Sequence, residues 1–334
     1  LRKHDNKHYK QVHSQVLQDV LLRLDKAYQA LFKKIAKYPR LKRKDKYKSF
    51  TYPQYGGWRI EEGKLLLSCV GTIKIKIHRI PVGTLKTCTI IRDADHWYCV
   101  ITADNGIDKP VAAYDMGKPV GIDVGLLNWL TLSDGKKIQN TLDYEAQARK
   151  IKQLQISLAR KQNGSKNREK AKMALAKAWR KIRRCRDDFV HKTSKILADD
   201  GYTIVVFEKL NITNMVKNHN LAKAIMEATW GKLRLYTAYK VERRGGETIV
   251  VYPNGTSQKC SRCGVIAEEK LGMSVCMFEC HRCGLVIDRD HNAAINILNL
   301  GLEQARAEKQ PLLVRQRISK FASRKQEAHV LRRG

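Results

Sequence analysis

No run of about 18 consecutive apolar residues occurs in the chain and no leader-like segment opens it, so neither a spanning helix nor a secretory signal is predicted. A soluble, cytoplasmic protein is the expectation. An even set of cysteines is also missing: the total of nine fits a reducing compartment better than a disulfide framework. Acid is scarce, with 32 Asp+Glu against 65 Lys+Arg and a formal net charge of +33. A surface so charged repels itself unless a polyanion binds, and nucleic acid is the obvious counter-charge. Ribosomal and membrane-surface proteins share such composition, so charge alone says nothing of catalysis. The 43% hydrophobic content over 334 residues excludes a disordered chain and suffices for one large core or two to three smaller ones. An initiating methionine is absent as well. Leu1 leads almost at once into a helical pattern, which predicts that an N-terminal portion is missing.

From about residue 8 to 37, Val16, Val20, Leu24, Leu31 and Ile35 share one helical stripe, with Leu17, Leu21 and Tyr28 beside it, and predict a packed helix. A basic connection, KYPRLKRKDKYKSF, follows. Between 58 and 103 the period becomes two, as in GTIKIKIHRI, and residues 50 to 103 read as a small antiparallel sheet or half-barrel. Near 118 a new unit begins: KPVGIDVG is a short buried strand broken at Gly125, and LNWLTLSDGKKIQ continues as a strand and hairpin. Residues 146 to 199 form a basic helical pair, on Ile151, Leu154 and Leu158 and then Leu175, Ala178, Ile182, Cys185 and Phe189. Positions 149 to 186 hold 15 Lys+Arg against one acid, Glu169. Solvated helix faces carry both signs, so one-sided charge points to phosphate tracking. The strands YTIVVFEKL and ETIVVYP, separated by a helical segment over 221 to 243, suit a sheet covered by helices. A mixed α/β unit is therefore predicted over 118 to 300, with a cysteine-rich insertion.

That insertion carries CSRCG, with Cys260 and Cys263, and CHRCG, with Cys280 and Cys283, separated by 16 residues. Two such knuckles converge four thiolates on one tetrahedral ion, for which zinc is preferred and iron is the chemical rival. With no open coordination position, the metal is structural. His281, between ligands, is expected to point outward, and Cys276 is an extra. Cys69, Cys88 and Cys99 in strands and Cys185 on a helix read as small buried hydrophobes. Three acids stand where a core excludes charge: Asp123 in VGIDVG, Glu208 ending IVVFE and Asp290 before HNAAINI. Burying them is costly without a cation. Converging, they would suit magnesium or manganese, paired ions of which activate water against a phosphodiester. Asp288 competes with Asp290 but reads as a cap, with Arg289 pairing locally. Trp230 reads as buried rather than base-stacked, and Tyr236 and Tyr239 as packing or nucleic-acid contacts.

The motifs FTYPQYG, GIDVGLLNWLTLSDG, KQNGSKNREKA, VFEKLNI, ATWGKLRLYTAYKVERRG, TSQKCSRCG and CHRCGLVIDRDHNAAINIL, in that order, resemble the TnpB (OrfB) family. These are RNA-guided DNA endonucleases of prokaryotic insertion sequences, related to type V CRISPR effectors. The resemblance spans about residues 5 to 300. It implies an RNase H-like, RuvC-type nuclease with an inserted zinc ribbon, preceded by a partial β-rich wedge domain and a helical segment. The implied boundaries are 1–40 for the helical recognition segment, 41–115 for the wedge and 116–255 for the nuclease domain with its basic hairpin. They continue with 256–288 for the ribbon, 289–304 for the final nuclease helix and 305–334 for a basic tail. Asp123, Glu208 and Asp290 fall on the family's catalytic triad, holding magnesium or manganese, and the position of Asp288 is outside it. The four ribbon cysteines fall on the zinc ligands. The expected partners are a transposon-derived guide RNA and target DNA, with a monomer favoured and the nucleoid as the site of action. Lys166, Arg168, Lys170, Arg180, Arg183 and Arg184 are the candidate phosphate contacts. Family members begin with some tens of residues more than this chain has. The alternatives are a non-catalytic RNA- or DNA-binding regulator of transposition and a truncated inactive copy; strand joining by a tyrosine recombinase-like centre is not expected.

Overall fold

The structure, a computed structural model, describes residues 7–43, 46–108, 117–126, 128–142, 144–252, 255–268, 271–272 and 275–307. Most of the expected basic tail lies outside them. Two compact units are present: residues 1–108 with 157–180, and residues 109–156 with 181–334.

In the first unit a 3-10 turn precedes helix α1 (Ser14–Phe32), and the imidazole of His13 accepts a bond from the N–H of Gln15 at its start. Six strands follow: β1 (Ser49–Tyr52), β2 (Trp58–Glu61), β3 (Lys64–Leu67), β4 (Gly71–Lys74), β5 (Thr84–Asp93) and β6 (His96–Asp104). They make two antiparallel sheets, β1-β5-β6 and β2-β3-β4, over a core of Tyr52, Trp58, Leu65, Leu67, Cys88 and Ile90. The antiparallel structure matches expectation, with three corrections. Helix α1 does not bury its apolar stripe: Val20, Leu21 and Leu24 are 41–49% exposed, and its buried residue is Asp19. The reason is polar docking, since Arg23 pairs with Asp19 and donates to Thr51 Oγ1 at 2.7 Å and to the carbonyl of Ser49. The alternation at 71–80 is a strand only through Lys74, where its ladder with β3 ends. Cys69 is exposed in the β3–β4 turn at φ 67°, because that reversal needs a left-handed residue.

The second unit is built on β7 (Pro119–Val124), β8 (Asn128–Leu132) and β9 (Lys137–Gln139), after which α2 (Tyr144–Ala159) and α3 (Lys166–Asp199) form the basic pair, whose residues 157–180 belong to the first unit. Then come β10 (Ile204–Glu208), α4 (Ile212–Met215), α5 (His219–Glu227), α6 (Trp230–Glu242) and β11 (Glu247–Val251). The short hairpin β12 (Met277–Glu279) and β13 (Val286–Asp288) leads into α7 (Arg289–Ala307). The helical segment expected at 221–243 is broken at Thr229, which adopts φ 55° and frees the Ala228 carbonyl to accept from buried Trp129 Nε1 at 2.7 Å. Trp230 is buried, as expected.

The five strands run in the order β11-β10-β7-β8-β9, with β7, β10 and β11 mutually parallel, β8 antiparallel to β7, and β9 antiparallel to β8. This is the RNase H-like, RuvC-type arrangement. Alternation along β10 sends Val205 and Phe207 to a core shared with α3, α5 and α6, and Ile204 and Val206 to a core shared with Ile297 and Ala305 of α7. Two glycines let α7 lie directly on the sheet. A Cβ at Gly121 of β7 would collide with the Ala294 carbonyl and stand 2.6 Å from the Leu298 nitrogen, and one at Gly301 of α7 would collide with Val206. Gly121→Ala is expected to cost about 1–3 kcal/mol, since the obstruction is helix backbone. Gly231→Ala, at a helical site with nothing within 4 Å, is expected to be neutral or stabilising by up to about 1 kcal/mol. Urea denaturation of the two variants checks the contrast; equal effects would mean that α7 does not need the close approach.

Candidate active site and metal centre

Asp123 and Glu208 lie at the carboxyl ends of adjacent parallel strands, one position beyond the last registered pair, Ile122 with Phe207. Ends of this kind are where open α/β sheets bind ligands. By the alternation described above, both side chains project to the face covered by α7, whose first turn carries Asp290. The three charges feel one another: burial, then the negative charges of Asp290 and Glu208, push the Asp123 carboxyl up to about 7. Burial also raises Glu208, opposed by a bond from Thr256 Oγ1 at 3.2 Å. Such hard oxygen donors suit magnesium or manganese. Among the described residues, only the cysteine cluster brings three or more ligand atoms within 4.8 Å of one another, so the acids form the more open group.

The first turn of α7 is fixed by residues around Asp290. Asp288 is a cap, as expected: its Oδ1 accepts from the N–H of His291 at 3.0 Å, and Lys137 Nζ of β9 holds its Oδ2 at 2.7 Å. The ring of His291 lies 3.2 Å from the Ser133 carbonyl. Arg289 pairs with Asp290 at 3.1 Å and donates to the Gly272 carbonyl at 2.9 Å. Sequence reasoning missed the parts of Lys137 and His291, which join the start of α7 to the distant β8–β9 hairpin through Asp288 and Ser133.

The thiol groups of Cys260, Cys263, Cys280 and Cys283 all lie within 4.8 Å of one another. Their closest approaches are 3.6 Å for Cys260 with Cys283 and 3.5 Å for Cys263 with Cys280. The N–H groups of Cys283 and Arg282 hold the Cys280 thiol down to about 6, favouring the thiolate that a metal needs. Gly264 and Gly284 take positive φ in the two knuckles. The donor set fits a structural zinc. His281 points outward, as expected, toward Glu268. The ribbon's apolar centre is Phe278 with Val265, Leu271, Leu285 and Ile287; Val275 and Val286 are exposed.

The basic candidates differ in exposure, and two of them brace neighbouring segments. Arg168 donates to the Leu158 and Lys161 carbonyls, closing the end of α2, and Arg180, with a side chain 11% exposed, is held by Asp95 and the Asp93 carbonyl. Lys166, Lys170 and Arg184 are exposed, and Arg183 is half-buried.

The sheet order and its cysteine-rich insertion define an RNase H-like fold of RuvC type. Residues 106–219 match the family model described as "Probable transposase" (OrfB_IS605), and residues 230–297 match "Cas12f1-like, TNB domain". The chain is 34% identical over 299 residues to the "Putative RNA-guided DNA endonuclease" of Streptomyces pristinaespiralis, covering 87% of this chain and 72% of that protein. It is 30% identical over 303 residues to the "Putative RNA-guided DNA endonuclease InsQ" of Escherichia coli (strain K12), covering 86% and 74%. A cryo-EM structure of a Cas12f1–sgRNA–target DNA complex aligns over 81% of this chain and 74% of its own, at 18% identity and a TM-score of 0.41. The chain belongs to the TnpB (OrfB) family. No helix of the described residues is long and apolar enough to cross a membrane.

Two outcomes are expected. Cys263→Ser should abolish zinc binding and open 256–288 to protease, because the ribbon's small apolar centre cannot replace the metal; a zinc-free ribbon that still resists protease would refute this. The second concerns Asp123. Its folded pKa of about 7 exceeds the unfolded value, so its contribution is fully present below the unfolded pKa and is lost as pH rises toward 7. Without added divalent ion, wild type should therefore lose melting temperature relative to Asp123→Asn as pH rises from about 4 to 7. Parallel curves would mean that Asp123 is not strained.

Proposed function

We propose that the chain is an RNA-guided, divalent-metal-dependent DNA endonuclease associated with an insertion sequence. The carrying observation is the placement of Asp123 and Glu208 at neighbouring strand ends beneath the α7 turn that bears Asp290. Three acids held near one another cost folding stability unless a cation compensates, and raised carboxylates in such a place mark functional sites. Bound there, magnesium or manganese would supply a metal-activated water and charge stabilisation at phosphorus. The chain's own residues set the stage. Asp123, Glu208 and Asp290 hold the ions through hard oxygens, and Arg289 neutralises Asp290 in their absence. Zinc held by Cys260, Cys263, Cys280 and Cys283 would find all four positions filled by thiolate and would act through structure alone.

The partners in this reading are a transposon-derived guide RNA and target DNA. Lys166, Lys170, Arg183 and Arg184 make sequence-independent phosphate contacts, a reading supported by the exposure of Lys166, Lys170 and Arg184, and Arg168 and Arg180 also link segments within the protein. Residues 1–40 and 41–115 act as recognition segment and wedge, 116–255 and 289–304 as the nuclease, and 256–288 as the ribbon. The acting species is a monomer in the cytoplasm.

The test is cleavage of matching DNA by the purified chain loaded with RNA transcribed from the flank of its own gene, with and without magnesium. Asp290→Ala should abolish cutting and leave RNA binding largely intact. Undiminished cutting by that variant removes Asp290 from the mechanism, and tight RNA binding with no metal-dependent cutting by wild type favours a regulator instead.

A further inference from the structure

The segment that leaves β11 for the ribbon is fastened to α7 by two buried asparagines spaced one helical turn apart. Asn292, fully buried, accepts from the N–H of Ser261 at 2.9 Å and donates to the Lys259 carbonyl at 2.8 Å. Asn296, 5% exposed, donates to the same carbonyl at 2.6 Å and to the Thr256 carbonyl at 2.8 Å. An apolar residue at either place would strand backbone groups without partners, at a cost that such burial makes large. Thr256, itself 6% exposed, turns its hydroxyl to Glu208 Oε1 at 3.2 Å. One continuous chain of bonds thus runs from the α7 backbone through Asn296 and the Thr256 main chain to a carboxylate at the end of β10.

We propose that Thr256, locked by Asn296, is a positioning residue that sets the orientation of the Glu208 carboxylate toward the divalent ion. This rests on the reading of Glu208 as a metal ligand. The carboxylate has two oxygens; a hydroxyl donating to one of them fixes the rotation of the group and leaves the other to a cation. Partners that orient ligating carboxylates matter almost as much as the ligands. Because the threonine belongs to the segment entering the ribbon, zinc also reaches the acidic centre by this route, without touching the reacting atoms.

The experiment uses the full chain with zinc in place and manganese alone as probe, titrated by electron paramagnetic resonance, alongside metal-dependent cleavage with guide RNA. Thr256→Val keeps shape and removes the hydroxyl. It is expected to weaken manganese binding and lower kcat by about 10- to 100-fold, with KM for DNA, zinc content and melting temperature unchanged. Thr256→Ser, which restores the donor, should recover most of both. Wild-type manganese affinity in Thr256→Val, equal impairment in the serine variant, or loss of zinc together with manganese would each overturn the proposal. Glu208→Gln separates it from the reading beneath it. If that variant binds manganese and cuts normally, Glu208 is no ligand; if it fails while Thr256→Val is normal, only the positioning role falls.

Discussion

The close seating of α7 on β7 and β10 is the constraint on which the acidic centre depends. Two elements can approach this far only where a side chain is missing, and Gly121 and Gly301 are those places, one on the sheet and one on the helix. With a Cβ at either, helix and sheet would separate and the first turn of α7 would shift relative to the strand ends. That turn is short of freedom in every direction. Lys137 and Ser133 hold it from the β8–β9 hairpin, while Gly272 receives Arg289 from the ribbon side. Among the described residues, Asp290 is therefore placed by packing and by its neighbours' bonds, with Arg289 the partner of its own oxygens.

Electrostatics runs against the average of the molecule. A chain of net charge +33 gathers three acids at one place, and burial with mutual repulsion pushes the Asp123 carboxyl up to about 7. The global charge draws a polyanion to the protein, and a polyanion would be repelled locally by bare carboxylates. Divalent ions at those carboxylates reverse the local sign, so the same ions that relieve folding strain would also make the centre receptive to phosphate. In the proposed function, metal loading and substrate acceptance are then two consequences of one charge arrangement.

Much of this was legible in the residues. Continuous apolar strands ending in an acid announced β10 and its Glu208, GID announced a buried strand with an acid inside, and the knuckle spacing announced a four-thiol site that the structure closes to within 4.8 Å. Asp288 as a cap also followed from its place ahead of α7. Less legible were features set by distant partners. Helical periodicity in α1 implied burial, but Arg23 docks the helix on Ser49 and Thr51 through polar bonds and leaves leucines in solvent. The Ile/Lys alternation after Lys74 looked like strand and has no ladder, because pattern specifies which faces differ and not whether a neighbour exists. Asn292 and Asn296 passed unnoticed in HNAAIN, although polar residues at i and i+4 on an otherwise apolar face are the one signal that could have marked them.

The zinc ribbon and the acidic centre divide two demands that a single site meets poorly. A four-thiolate ion is fully ligated and rigid, which suits it to hold a segment with little apolar core of its own, Phe278 being its one large fully buried side chain among the described residues. A hydrolytic centre needs open positions and oxygen donors, hence less internal restraint. Placing the ribbon between β11 and α7 lets the rigid site stiffen both approaches to the open one: its entering segment carries Thr256 to Glu208, and its exit hairpin delivers Asp288, Arg289 and Asp290 in succession. The asparagines of α7 then join entry to exit through the same three backbone groups, at Thr256, Lys259 and Ser261. In the proposed function, movement of the entering segment would break its bonds to the helix that bears Asp290, so restraint made at sulfur would be carried to oxygen through main chain and amide.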